Sequence, residues 1–423
     1  MLYRDFMRSD EEKRRIWEKY WTNHNDEAVR FIQYYNYVVH KEFPGTLTIA
    51  EESSEWNGAT RSVEYGGLGF DRKWAMGFMH DILEYLKLNP IYRKYHQDKL
   101  TFYWSYALSE KYMLAFSHDE VKCLKRSEKE KMPGDEWQKF ANLRLRFGMQ
   151  FAMPGNKLTF MGAEIGVYKE WNPDESLDWW LLEHPLHKGV QNLVRALNRL
   201  YRNEPALHQL DFDPRGFQWI DCSDREKSII SFVRRGHNPA DDIVVIFNST
   251  SEPRHNYRVG LPHPGYWKEI LNSDAGCYGG SNVGNYGGVT AQDISYHNQP
   301  YSAEFTLPPL GFVAFRRSSS AAASLALSRA AASGARFSFF SLVFFKKLDG
   351  INESPVRSIL ASTSHNISVV WRWADNSAAS AKGYSSSPLG LENYLGDSGY
   401  LNLAWSGLSF IAPFVFGFIR MFK

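Results

Sequence analysis

Cysteine is scarce in this 423-residue sequence: Cys123, Cys222 and Cys277 stand far apart, with no CxxC or Cys/His spacing of a zinc site. A disulfide framework is excluded, no metal or other cofactor is expected, and a reducing compartment, the cytoplasm, is the expected location. Charge of one sign is also lacking. The 49 Lys and Arg against 47 Asp and Glu leave +2, so no nucleic-acid partner is expected, because such binding rests on a basic excess. The N-terminus is charged from Arg4 and has no apolar run of signal-peptide length. No internal repeat is visible. With 43% hydrophobic and 23% charged residues, a disordered chain and a coiled coil are excluded as well.

Aromatic residues are abundant: 14 Trp, 23 Tyr and 28 Phe. Flat rings that stack on ligands, sugars among them, would explain the number; so would the ordinary core of a large β-rich enzyme. At about 100–200 residues per domain the length predicts two or three globular units.

Three regions separate by pattern. In residues 1–209, helical and strand-sized runs alternate, the signature of parallel βα units. A helix is predicted from Asp26, capped by Asn25, with Ala28, Phe31, Ile32, Tyr35, Val38 and Val39 on one face. Strands are predicted at 46–50, 68–70, 112–116 and 158–161. Further helices are expected to close at 84–88, to run from an Asp135 cap through Phe140, Leu143 and Phe147, and to follow Val190, Leu193, Val194, Leu197, Leu200 and Tyr201. Residues 210–317 change to short strands broken by turns, at 229–233, 243–247, 304–307 and 312–315, which predicts an antiparallel β-sandwich. Residues 318–423 open on Ala/Ser low complexity and hold five of the 47 acids, Asp349, Glu353, Asp375, Glu392 and Asp397. That text predicts a low-complexity or foreign tail, disordered. Within it, 401–419 is uncharged and just long enough to be a weak candidate membrane span; Pro413, Gly407 and three polar residues argue against one, and no membrane association is expected.

Two acidic sites follow predicted strands. Residues 46–50 run into Glu51-Glu52, and 112–116 run into Ser117-His118-Asp119-Glu120. In a βα barrel the strand C-termini converge on the active site, and the interval from Glu51 to Asp119 is close to two βα units of about 31 residues each. Paired carboxyls there suit glycoside chemistry, in which one is protonated to donate to the leaving oxygen while others stay ionised beside an oxocarbenium-like centre. The same acids also fit helix caps or surface ion pairs.

The motifs TIAEES, GGLGFDRKWAMGFMHD, LAFSHDEV, MPGDEWQKFANLR, LTFMGAEIG, EWNPDESLDWW and LDFDPRGFQWI occur in that order across residues 1–317. Together they resemble the 1,4-alpha-glucan branching enzymes of the alpha-amylase superfamily. The resemblance implies the C-terminal half of a (β/α)8 barrel, about four strands, followed by an antiparallel β-sandwich. It also implies an α-glucan substrate, glycogen or amylose, and a retaining transglycosylase that moves an α-1,4 segment to a 6-hydroxyl. Motif by motif, Glu51 corresponds to the general acid/base, Asp119 to the carboxylate that stabilises the transition state, and His118 to a sugar hydrogen-bond donor. Trp74 and Trp171 fall on loops expected to face the cleft, as sugar-stacking rings or, for Trp74, loop packing; Trp179 and Trp180 are expected to be packing residues.

One expected element is missing. The family nucleophile lies in an RVDA-type strand, no such segment occurs in this sequence, and Asp5 matches a different position. A fragment without its nucleophile, inactive alone, is therefore expected, its open sheet edges exposing apolar surface. The alternatives are a non-catalytic glucan-binding remnant and a related alpha-amylase-type hydrolase.

Overall fold

The computed structural model describes residues 2–4, 8–20, 22–54 and 56–318, which lie in one compact unit. The Ala/Ser-rich text beyond Ser318, with the candidate span at 401–419, lies outside the described residues, as does Asp5. Among the described residues no helix is long and apolar enough to cross a membrane. Cys123, Cys222 and Cys277 are free thiols.

Among the described residues six α-helices occur: α1 (Asp10–Tyr20), α2 (Asp26–Glu42), α3 (Met76–Lys87), the single turn α4 (Asp98–Thr101), α5 (Glu136–Ala152) and α6 (Pro185–Asn203). Between them a four-stranded sheet is formed by β1 (Ile49–Ala50), β2 (Arg72–Trp74), β3 (Tyr112–Phe116) and β4 (Asn156–Thr159), in sequence order and parallel throughout. Eight more strands follow: β5 (Phe217–Asp221), β6 (Ile229–Arg234), β7 (Ile243–Asn248), β8 (Arg254–Leu261), β9 (Tyr266–Asn272), β10 (Gly288–Thr290), β11 (Tyr301–Leu307) and β12 (Gly311–Arg317). They build a six-stranded sheet, ordered β10-β9-β12-β7-β6-β5, and a β11-β8 pair packed on it. The expected succession of a parallel βα layer and an antiparallel sandwich is the observed one.

Local chemistry sets the boundaries. Asn25 accepts from the Ala28 amide to start α2, and Asp135 and Gln138 exchange backbone bonds in a capping box that starts α5. Pro185 opens α6 at the position where its missing N–H costs nothing. β3 spans the predicted residues. The strand expected at 68–70 lies at Arg72–Trp74 instead. Leu68 is buried in a small cluster with Leu2 and Ala59, Gly69 is left-handed (φ +80°), and the Leu68 carbonyl accepts from Asn36 on α2 rather than from a strand.

The face of α2 also differs from the predicted one. Asn36 is its buried residue, whereas Phe31, Tyr34, Tyr35 and Tyr37 are exposed. Leu47 and Ile49 at the β1 edge are exposed too, the apolar surface expected at an unpaired edge. Helix α5 departs in the opposite sense. Every residue from Phe140 to Ala152 is buried, because the helix lies between the parallel sheet and the sandwich. Its polar side chains therefore find fixed partners: Asn142 accepts from Arg93 at 2.8 Å, and Arg146 lies with its Nε 2.8 Å from the buried Glu128 carboxylate. Strands β6 and β7 are buried on both faces, not on alternate residues. Phe232, Phe247 and Phe312 stack toward the helices, while Val233, Val244 and Ile246 meet Trp267 and Phe305 inside the sandwich.

The tightest point of the helix-to-sheet contact is Gly148 on α5, where an added Cβ would lie 2.3 Å from the ring of Phe312. Gly148→Ala forces a ring in the Phe247–Phe312 stack to move. The expected loss is about 1–3 kcal/mol of stability despite the better helix propensity of alanine. Urea denaturation followed by tryptophan fluorescence measures it, and an unchanged midpoint would contradict the packing described.

Candidate active site

Parallel pairing delivers the ends of β1, β2 and β3 to one side of the sheet. Ala50 is level with Lys73 and Trp74 with Met113, so Glu51, directly after β1, and Trp74, the last residue of β2, lie at the same height. β3 continues three residues past Met113 to Phe116 and then turns into a 3-10 segment, His118–Glu120. Glu51 and Asp119 thus leave strands on either side of β2, not adjacent ones, about 10 Å apart laterally from two inter-strand spacings.

The turn carrying Asp119 is closed by its own sequence. Ser117 accepts from the Asp119 amide, and the buried Glu120 carboxylate accepts from the Ser117 amide at 2.7 Å, a capping box in miniature. It fixes His118 and Asp119 on the outward side, both half-buried, with His118 Nε2 3.4 Å from Asp119 Oδ1. Lys122 Nζ lies 3.1 Å from the same oxygen, and Lys125 Nζ donates to the Asp119 carbonyl at 2.7 Å. The Lys122 ammonium holds the Asp119 carboxyl below the usual carboxylate range, with smaller contributions of the same sign from His118 and Lys125. Asp119 is therefore suited to remain an anion facing developing positive charge, rather than to donate a proton.

His118 belongs to an aromatic group. Its ring is 6.4 Å from Trp171 and 5.9 Å from Phe160, and Phe160 and Trp171 meet edge to face at 5.2 Å. The Trp171 amide donates to the Val121 carbonyl at 2.9 Å, which joins the loop before Trp171 to the loop after Asp119. Beside Trp171 is a narrow recess lined by Val121, Glu128, Phe160, Asn172 and Asp178 among others. Neither Glu51 nor Asp119 lines it.

The structure thus brings Asp119 and Trp171 each beside His118. Glu51 and Trp74 share only the sheet end. Glu51 is exposed and has no hydrogen bond among the described residues, whereas Glu52 accepts from the Ser54 amide at 2.6 Å. Trp179 and Trp180, expected to pack, are 53% and 55% exposed; their short 3-10 turn buries Leu181 in their place. Phe160 and Lys122 were not singled out by sequence. Phe160 was expected inside a strand at 158–161, but β4 lies at Asn156–Thr159, which leaves Phe160 just beyond its end.

The loop after Glu51 is anchored from a distance. The buried Glu110 carboxylate, just before β3, accepts the amides of Gly58, Ala59 and Thr60 at 2.8 Å each and the Thr60 hydroxyl. Below Asp119, Gln150 of α5 bridges the carbonyls of Leu114 on β3 and Leu158 on β4 at 2.9 and 2.7 Å, holding the two strands in register.

A parallel sheet with acids at its strand ends, joined to an antiparallel sandwich, is the layout expected for a protein of the alpha-amylase class. The comparisons agree: residues 219–318 match the alpha amylase C-terminal all-beta domain. The chain is 50% identical over 314 residues to the 1,4-alpha-glucan branching enzyme GlgB of Cupriavidus pinatubonensis, covering 74% of this chain and 42% of that protein. It is likewise 50% identical over 313 residues to the 1,4-alpha-glucan branching enzyme GlgB of Aquifex aeolicus, covering 74% of this chain and 49% of that one. Among solved structures, the alpha-amylase from H.orenii superposes with a TM-score of 0.44 at 14% identity, over 69% of this chain and 57% of that chain. Over about three-quarters of its length the chain matches the C-terminal part of 1,4-alpha-glucan branching enzymes. It spans about two-fifths to one-half of the length of the curated relatives it matches.

Replacing Lys122 by Met removes the nearest cation from Asp119. In a spectrum of the chain carrying ¹³C-labelled aspartate, the Asp119 carboxyl is expected to titrate below the usual range in the wild type and to move up toward it in the variant. No movement would show that Lys122 does not set the charge state.

Proposed function

We propose that this chain carries the proton-donating and charge-stabilising half of an α-1,4-glucan branching site, with Glu51 as general acid/base and Asp119 as the anion steadying the oxocarbenium-like sugar. The observation that carries the reading is the delivery of both carboxylates to one sheet end beside the His118, Phe160 and Trp171 wall, in a chain 50% identical to branching enzymes. In a retaining transfer, the acid protonates the departing glucan oxygen while a carboxylate nucleophile about 5 Å away takes the anomeric carbon. The deprotonated acid then receives the proton of the acceptor 6-hydroxyl as the new α-1,6 bond forms. On this reading Asp119 meets the positive charge between those steps, His118 donates to a sugar hydroxyl, and Trp171, with Trp74 as a second ring, offers an apolar face to a glucose unit. The three free thiols fit a reducing, cytoplasmic setting.

No RVDA-type aspartate occurs in this sequence. The chain as given therefore lacks the first covalent step, and its own activity is proposed to be glucan binding without turnover.

The test is incubation of the purified chain with amylose, followed by iodine absorbance and chain-length analysis after debranching, alongside calorimetric titration with maltoheptaose. Expected are no new α-1,6 linkages, no shortening, and saturable maltoheptaose binding that weakens about tenfold or more in Trp171→Ala, the scale of losing a ring-stacking contact of roughly 1–3 kcal/mol. New branches made by the chain alone would overturn the assignment of a missing nucleophile. Shortened chains without branches would identify a hydrolase.

A further inference from the structure

The loop after Asp119 has an unusual backbone. Cys123, Leu124 and Arg126 all take left-handed conformations (φ 57°, 66° and 66°), a region in which side chains other than glycine are rare. Leu124 is 96% exposed, so no apolar burial holds it there. The amides of Leu124 and Arg126 instead converge on one carboxylate: Glu170 accepts them at 3.0 and 2.6 Å, one on each oxygen. The next residue is Trp171, whose own amide donates to the Val121 carbonyl. Two successive residues of one loop thus grip both ends of residues 121–126. From beneath, Lys131 Nζ donates to the carbonyls of Glu120 and Arg126.

We propose that Glu170 is a positioning residue: its carboxylate holds the strained 121–126 loop against the Trp171 loop, and so fixes Lys122, Lys125 and the Asp119 they contact relative to the His118, Phe160 and Trp171 wall. The proposal rests on the reading of that wall as a glucan cleft, which it deepens by naming what sets its width. A carboxylate is the acceptor suited to two converging amides, since each oxygen takes one bond at full negative charge. Glutamine offers one oxygen acceptor and turns a donor toward the other amide. Alanine offers neither.

Hydrogen–deuterium exchange read by mass spectrometry tests the clamp in the purified chain, with Glu170→Gln, Glu170→Ala and Glu170→Asp compared to the wild type. In the Gln and Ala variants the peptide spanning 121–126 is expected to exchange about tenfold faster, the scale of losing a charge-assisted bond. Peptides from β6 and β7 should be unchanged, and Asp should restore part of the protection. Trypsin should cut after Lys122, Lys125 and Arg126 sooner in the same two variants. Maltoheptaose affinity should fall with them and recover partly in the Asp variant. Unchanged exchange at 121–126 in both Gln and Ala overturns the proposal, as does acceleration spread evenly over the chain. A wild type that protects the loop but binds no maltoheptaose supports the clamp and removes the glucan reading instead.

Discussion

Every backbone amide that leaves a strand and remains out of water must find an acceptor, and at the C-terminal end of this parallel sheet there is no further ladder to supply one. The molecule meets that constraint with glutamates. Glu120 takes the amide of Ser117 and Glu170 takes two amides of the loop after Asp119, while at the opposite end of β3 Glu110 collects three amides of the return from β1 to β2. The acids at this rim therefore divide into those that shape the loops and those left facing outward. Glu51 and Asp119 are in the second group, and what each could do chemically follows from not being spent on backbone.

The second organising feature is α5, which from Phe140 to its end has no solvent face. A helix buried on all sides usually reads as uniformly apolar, yet this one carries Asn142, Arg144, Arg146 and Gln150 inside. Arg144 faces the buried Asp274 carboxylate after β9 at 3.9 Å, and the other three have closer partners. Arg146 meets Glu128 in the segment before the helix, Gln150 spans β3 and β4, and Asn142 accepts from Arg93, whose Nη1 also reaches the Ser249 carbonyl after β7. Polar groups in this layer fix the register of neighbours where apolar contacts alone would permit sliding.

How much of this could be read in advance depended on the range of the interaction. The Asp135 cap and β3 were legible because their determinants sit within a few residues of one another. The shift of the second strand from 68–70 to 72–74 was not, since the decisive contact, Asn36 to the Leu68 carbonyl, spans 32 residues. Trp179 and Trp180 misled for a related reason: aromatic identity suggested burial, but Leu181 between them and α6 filled the space. Neither Glu110 nor Glu170 stood out among 47 acids, because a carboxylate that accepts distant amides leaves no local pattern.

Arg234, at the end of β6, has its guanidinium bonded to the carbonyls of Ala152, Leu207 and Gly216 and to the Asp211 carboxylate, all out of water. Its acceptors come from the end of α5, from the connecting segment and from the entry to the sandwich. Peeling either layer from the other would break this whole set of buried charge-assisted bonds at once. Heat should therefore take both apart in a single calorimetric transition, and the sandwich is not a module that can be cut away and expected to hold its shape.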